Sequence, residues 1–222
     1  MKPANALKER KQMNGNTMLL LITIVLFIVL YAAGCIAYAS KGFTTLQTFL
    51  NVFRSNAGLI CVACGMTCVM LTGGIDISVG AVIAMEGMFL AVGVESWGLP
   101  AQLLIPLMLV IGVVFGIIQG YCVGYLGIQP FIVTMAGMFF ARGMTAIISR
   151  ETIVIDNPVY TSLASARIYV LPGGFISVGV VIALVTLVAA TLVLKFTRFG
   201  RNIYALGGNE MSAQLMGLPT KR

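Results

Sequence analysis

Histidine is absent from this sequence, tryptophan occurs once, and only seven residues are acidic. Lack of histidine removes the commonest general base and the commonest metal ligand. Charge of either sign is scarce: 9% of residues are charged against 59% hydrophobic, and mean hydropathy is +1.00, which no ordinary water-soluble domain shows. Gln12 to Ser40, Ser55 to Ile75 and Ser96 to Ala141 carry no charge at all. The last of these is long enough for two membrane crossings at about 20 residues each.

The chain is therefore expected to be all-α, a polytopic membrane protein with about six transmembrane helices near 18–39, 55–75, 77–94, 100–125, 131–149 and 175–195. A basic tail (1–17) precedes this span region (18–195), a loop (150–174) interrupts it, and a polar segment (196–222) follows it. The net charge of +7 does not point to nucleic acid, because of where the cations lie. Lys2, Lys8, Arg10 and Lys11 precede the first span, and Lys195, Arg198, Arg201, Lys221 and Arg222 follow the last. Both clusters belong on the cytoplasmic side, and six crossings return the chain to it. The basic residues and apolar run before Ala37-Tyr38-Ala39 imitate a signal peptide, but the run exceeds the ~7–15 residues of a signal core and more spans follow. Cys61, Cys64 and Cys68 share one helical face; small thiols in a span are expected to pack as Ala or Ser do.

The most informative stretch is LTGGIDISVG, Leu71 to Gly80, a polar break between apolar helices. Unpaired backbone cannot face hydrocarbon, so such a break must lie within protein or line a wet cavity. Transport is the expectation this raises. The segment is a very tight turn or a break within a discontinuous helix, and the expected fold has the broken helix; Asp76 or Ser78 suits the N-cap of the helix that follows. Glu86 and Arg142 are the ionisable side chains well inside spans, each costing about 2.5–3.5 kcal/mol at the bilayer centre. Pairing is one expectation. A Glu86 facing a wet cavity, or an Arg142 reaching a helix end, are the others.

Residues 40–54 have helical apolar spacing between two cations and read as a short interfacial segment. Pro130 forces a turn between spans four and five. Arg150 to Gly174 is the longest polar stretch, with turns at Asp156-Asn157-Pro158 and Pro172-Gly173-Gly174. Near the C-terminus, Asn209 as N-cap, Glu210 in the first turn, Gly217 as stop and Pro219 beyond it punctuate one very short helix, which needs a surface to dock on.

LTGGIDISVGAVIAM (71–85), QPFIVTMAGMFFARGMT (129–145) and FGRNIYALGGNEMSAQLMGL (199–218) together resemble the permease subunit of bacterial ABC sugar importers, the ribose, xylose, galactose and galactofuranose group. IDNPVYTSLASARIYVLPGG (155–174) looks most like the galactofuranose type. The resemblance implies a multi-pass inner-membrane subunit, N-terminus cytoplasmic, that moves a monosaccharide and is not itself an enzyme. Its implied partners are a periplasmic sugar-binding protein, a second permease subunit, membrane lipid and a cytoplasmic ABC ATPase subunit that binds ATP and Mg. It assigns Thr72, Gly73, Gly74, Asp76 and Ser78 to the substrate pathway, and Gly208, Asn209, Glu210, Ser212, Ala213 and Gly217 to ATPase coupling. A neutral polyol is bound by hydroxyl, amide and ring groups, which adds Gln119, Tyr121, Gln129, Phe131 and Thr134 as candidates. No cofactor or metal is expected in this chain. Glu86 departs from the family, which has a small or hydroxyl residue there. Members also continue into further spans, so the resemblance implies truncation after Arg222. The alternative is an ion-gradient-coupled secondary transporter using Glu86, Asp76 and Arg142.

Overall fold

The computed structural model describes residues 15–171 and 174–218. The basic residues of the N-terminal tail, Pro172-Gly173, Pro219, Lys221 and Arg222 lie outside the described residues. The chain clusters into two compact units that divide between Phe49 and Leu50.

In the first unit, α1 (Gly15–Ala37) leads to a 3-10 turn (Ala39–Lys41). Tyr31 meets Phe43 and Phe49 at ring distances of 5.6 and 5.8 Å, and the Phe43 ring lies over Gly34, where a Cβ would come within 2.9 Å. The leucines, isoleucines and valines of α1 are exposed around the whole helix. Such a surface requires lipid or protein around it.

Helix α2 (Leu46–Leu71) starts at Thr45, whose hydroxyl accepts the Thr48 N–H at 3.4 Å. The expected interfacial segment is thus no separate element. Its apolar positions continue in helical register, with no proline or early glycine to stop them, and from Leu46 they become the first turns of one 26-residue helix. At about 1.5 Å per residue that helix is about 39 Å long, enough for a hydrocarbon core of about 30 Å.

Helices α3 (Val79–Glu95), α4 (Ala101–Gly124) and α5 (Pro130–Ile148) form the centre of the second unit. Ala81 and Met85 of α3 pack on Ala141 of α5, with Ile111, Met138 and Met144 around them; the alanines let the backbones approach closely. Helix α7 (Val178–Phe196) packs through Val180 and Ala183 on Ala57 of α2, and Thr186 of α7 faces the Cys61 thiol at 3.9 Å. Among the described residues five helices are long and apolar enough to cross a membrane; α3, at 17 residues, is shorter.

The 150–174 loop contains more order than its turns suggest. Asn157 caps α6 (Pro158–Ser165) by accepting the Val159 and Tyr160 N–H groups, and Glu95 Oε1 accepts the Asp156 and Asn157 N–H groups at 2.8 and 3.0 Å. Strands β1 (Arg167–Leu171) and β2 (Gly174–Ser177) then pair as an antiparallel hairpin, with Tyr169 opposite Phe175 and the Arg167 guanidinium 4.6 Å from the Phe175 ring centre. Its signal is visible as RIYVL and GFIS flanking Pro-Gly.

After α7, α8 (Arg198–Gly208) and α9 (Glu210–Leu215) follow. The short helix forms as its punctuation requires: Asn209 Oδ1 accepts the Ser212 N–H at 2.8 Å. Gly217, at φ +73°, donates to Gln214 O, and Leu218 donates to Ala213 O. That pair of bonds is a Schellman motif. Helix α8 lies in the polar segment whose sequence punctuation marks only the short helix after it.

Candidate functional site

The Gly-Gly-Ile-Asp segment joins α2 to α3 by a turn at Thr72-Gly73, where Gly73 takes φ +79°, followed by residues without regular secondary structure up to Ser78. Ser78 stands at the N-cap position but makes no side-chain cap bond. Its hydroxyl donates to Asp76 Oδ1 at 2.7 Å and its N–H to the same oxygen at 2.8 Å. With its single proton committed to the carboxylate, the hydroxyl accepts from Gln119 Nε2 of α4 at 3.0 Å. Thr134 of α5 donates to Ile75 O at 3.2 Å. Ser78 and Thr134 are both buried. The segment is therefore tied to α4 and α5 through side chains of its own polar type, as buried polar groups must be.

These ties leave a cavity of about 710 Å³, inside the roughly 300–1,000 Å³ typical of small-molecule sites. Thr72, Gly73, Gly74, Asp76, Gln119, Gln129 and Thr134 line it, with Gly116, Gly120 and Gly124 along one stripe of α4. Those glycines, four apart, were legible as a small-residue repeat but not as a cavity wall. Leu206 of α8 and Glu210 of α9 also line it, which brings a residue expected in ATPase coupling to the pathway residues. Among the described residues the lining offers carboxamide, hydroxyl and carboxylate groups, and no lysine, arginine or aromatic ring. It suits a neutral hydrogen-bonding solute and disfavours an anion. Phe131 is exposed and outside the lining, as is Tyr121, whose ring stacks on Tyr125 at 5.3 Å.

Glu86 and Arg142 do not pair. Glu86 Oε1 is buried without a hydrogen-bond partner among the described residues, close enough to Gly112 that a Cβ there would come within 2.7 Å. It borders a separate apolar cavity of about 310 Å³ with Met85, Phe89, Ile111 and Phe115. Arg142 is exposed. It follows Ala141, the residue of α5 pressed against α3, and one helical step turns it about 100° away from that contact.

On α9, Ala213 is buried and Ser212 is engaged through its N–H with Asn209. Asn209, Glu210 and Ser212 are exposed, and so are Met211, Leu215 and Met216 beside them. Helical spacing alone could have named this face.

Residues 48–222 match a family model described as branched-chain amino acid transport system, permease component. The chain belongs to this family of permease components. It is 42% identical over 202 residues to the inner membrane ABC transporter permease protein YjfF of Escherichia coli (strain K12), covering 91% of this chain and 60% of that protein. It is 39% identical over 208 residues to the fructose import permease protein FruG of Bifidobacterium longum (strain NCC 2705), again 91% and 60%. Over 201 residues it is 34% identical to the ribose import permease protein RbsC of Haemophilus influenzae (strain ATCC 51907 / DSM 11121 / KW20 / Rd), covering 88% and 60%. This permease component thus spans about 60% of the length of these relatives. No solved structure matches the chain.

Proposed function

We propose that the chain belongs to the membrane subunit of an ABC importer that moves a monosaccharide, of the galactofuranose type at its finest, across the bacterial inner membrane. The observation that carries this is the cavity of about 710 Å³, whose hydroxyl and amide lining suits a sugar. Kinship with permeases named for fructose and ribose import supports the substrate class. With α3 counted as a sixth crossing and the N-terminus cytoplasmic, the Gly-Gly-Ile-Asp segment, the α4–α5 turn and α8–α9 all fall on the cytoplasmic side. The Glu95–Asn157 contact and the hairpin fall outside, where a periplasmic sugar-binding protein docks. A cytoplasmic ATPase pair, holding ATP and Mg, receives Met211, Leu215 and Met216 in a groove. A second permease subunit completes the pathway.

The test is co-purification from membranes with the ATPase subunit. The native chain is expected to bring it down, and Met211→Glu with Leu215→Glu to lose it while the chain still accumulates. Absence of the ATPase from the native preparation overturns the proposal.

A further inference from the structure

Helix α8 is fastened at two points where only glycine fits. At Gly200 an added Cβ would run into the Leu194 carbonyl of α7. At Gly207 it would run into the Leu71 carbonyl, the last of α2, and lie 3.7 Å from Thr72 Cα. Gly200, Ile203 and Gly207 fall at i, i+3 and i+7 and so share one face, and Ile203 between them is buried. At Gly207 the hydrogen that replaces Cβ points at the Leu71 oxygen, a weak Cα–H···O contact. Val69 O and Met70 O are bonded within the turn that follows α2, to Thr72, Gly73 and Gly74, so the backbone that meets Gly207 is the start of the Gly-Gly-Ile-Asp segment. Leu206 and Glu210, on either side of Gly207 in sequence, line the same cavity as Thr72 and Gly74.

We infer that the C-terminal end of α8 and the start of the Gly-Gly-Ile-Asp segment move as one body, joined by the close approach of Gly207 to Leu71, so that displacement of α9 reaches the cavity wall directly. Gly207 is a positioning residue. The inference rests on the importer reading, in which α9 is the element an ATPase moves.

Two variants of the full-length protein, reconstituted with its ATPase in liposomes, test it. Gly207→Ala inserts the colliding Cβ; the expected result is loss of sugar uptake with ATPase association and ATP hydrolysis retained. Uptake at the native level would overturn the inference, and so would loss of association along with uptake. In a background without native cysteines, Leu71→Cys with Tyr204→Cys, one helical turn before Gly207, permits a bis-maleimide link across the joint. Because the joint is rigid, uptake is expected to be the same before and after linking, and a drop on linking would overturn the inference even if the alanine variant fails to accumulate. Failure of the native chain to bind the ATPase instead defeats the importer reading itself.

Discussion

At the scale of single residues, the hydrogen-bonded set Asp76, Ser78 and Gln119 carries the account. Ser78→Ala would strip one partner from both the carboxylate and the amide in a buried place, which costs about 1–3 kcal/mol. A lowered melting temperature in detergent is the expected readout. Thr134→Val keeps the shape but frees Ile75 O, and Gln129→Leu removes an amide from the lining; both are expected to reduce sugar uptake at unchanged abundance of the chain. Exchanging Glu86 and Arg142 is expected to rescue neither single substitution, since Glu86 faces an apolar cavity and Arg142 is exposed. That pair shows where sequence reading stops. Two opposite charges in neighbouring spans are legible, but whether they meet depends on the rotation of each helix, here set by the contact of Ala141 with Ala81 and Met85.

At the scale of elements, the best-read piece is α9, because its cues are local: a capping side chain, an acid in the first turn and a glycine with positive φ all act within one turn of their helix. Asn209→Ala should weaken that helix by about 1 kcal/mol, and Gly217→Ala should destabilise its end by roughly 1–2 kcal/mol through the left-handed backbone. Reduced capture of the ATPase by each variant is the measurement. Helix α8 is only partly local in origin: Gly200 meets the Leu194 carbonyl just upstream, but Gly207 meets the Leu71 carbonyl of α2, far away in sequence. The hairpin, by contrast, has local signals: strand and turn residues stand side by side in RIYVLPGGFIS, of which the sequence reading names the turn at Pro172-Gly173-Gly174 alone.

At the scale of the whole molecule, hydropathy makes long apolar helices legible, since each span must satisfy its backbone internally; five of the described helices are long and apolar enough to cross, and α3 is shorter. The joining of 46–54 to α2 shifted one boundary, as continuous helical register outweighed the two flanking cations. The cavity was legible only in part. Thr72, Gly73, Gly74, Asp76, Gln119, Gln129 and Thr134, pathway candidates on sequence grounds, border it, whereas the approach of Glu210 to them is tertiary and has no sequence mark. The measurement that bears most directly on this account is uptake of a labelled monosaccharide into right-side-out or reconstituted vesicles carrying the permease with its ATPase, with ATP trapped inside and the sugar-binding protein outside. Uptake that requires ATP and persists when proton and sodium gradients are collapsed is the predicted result; uptake that proceeds without ATP and vanishes with either gradient would contradict it.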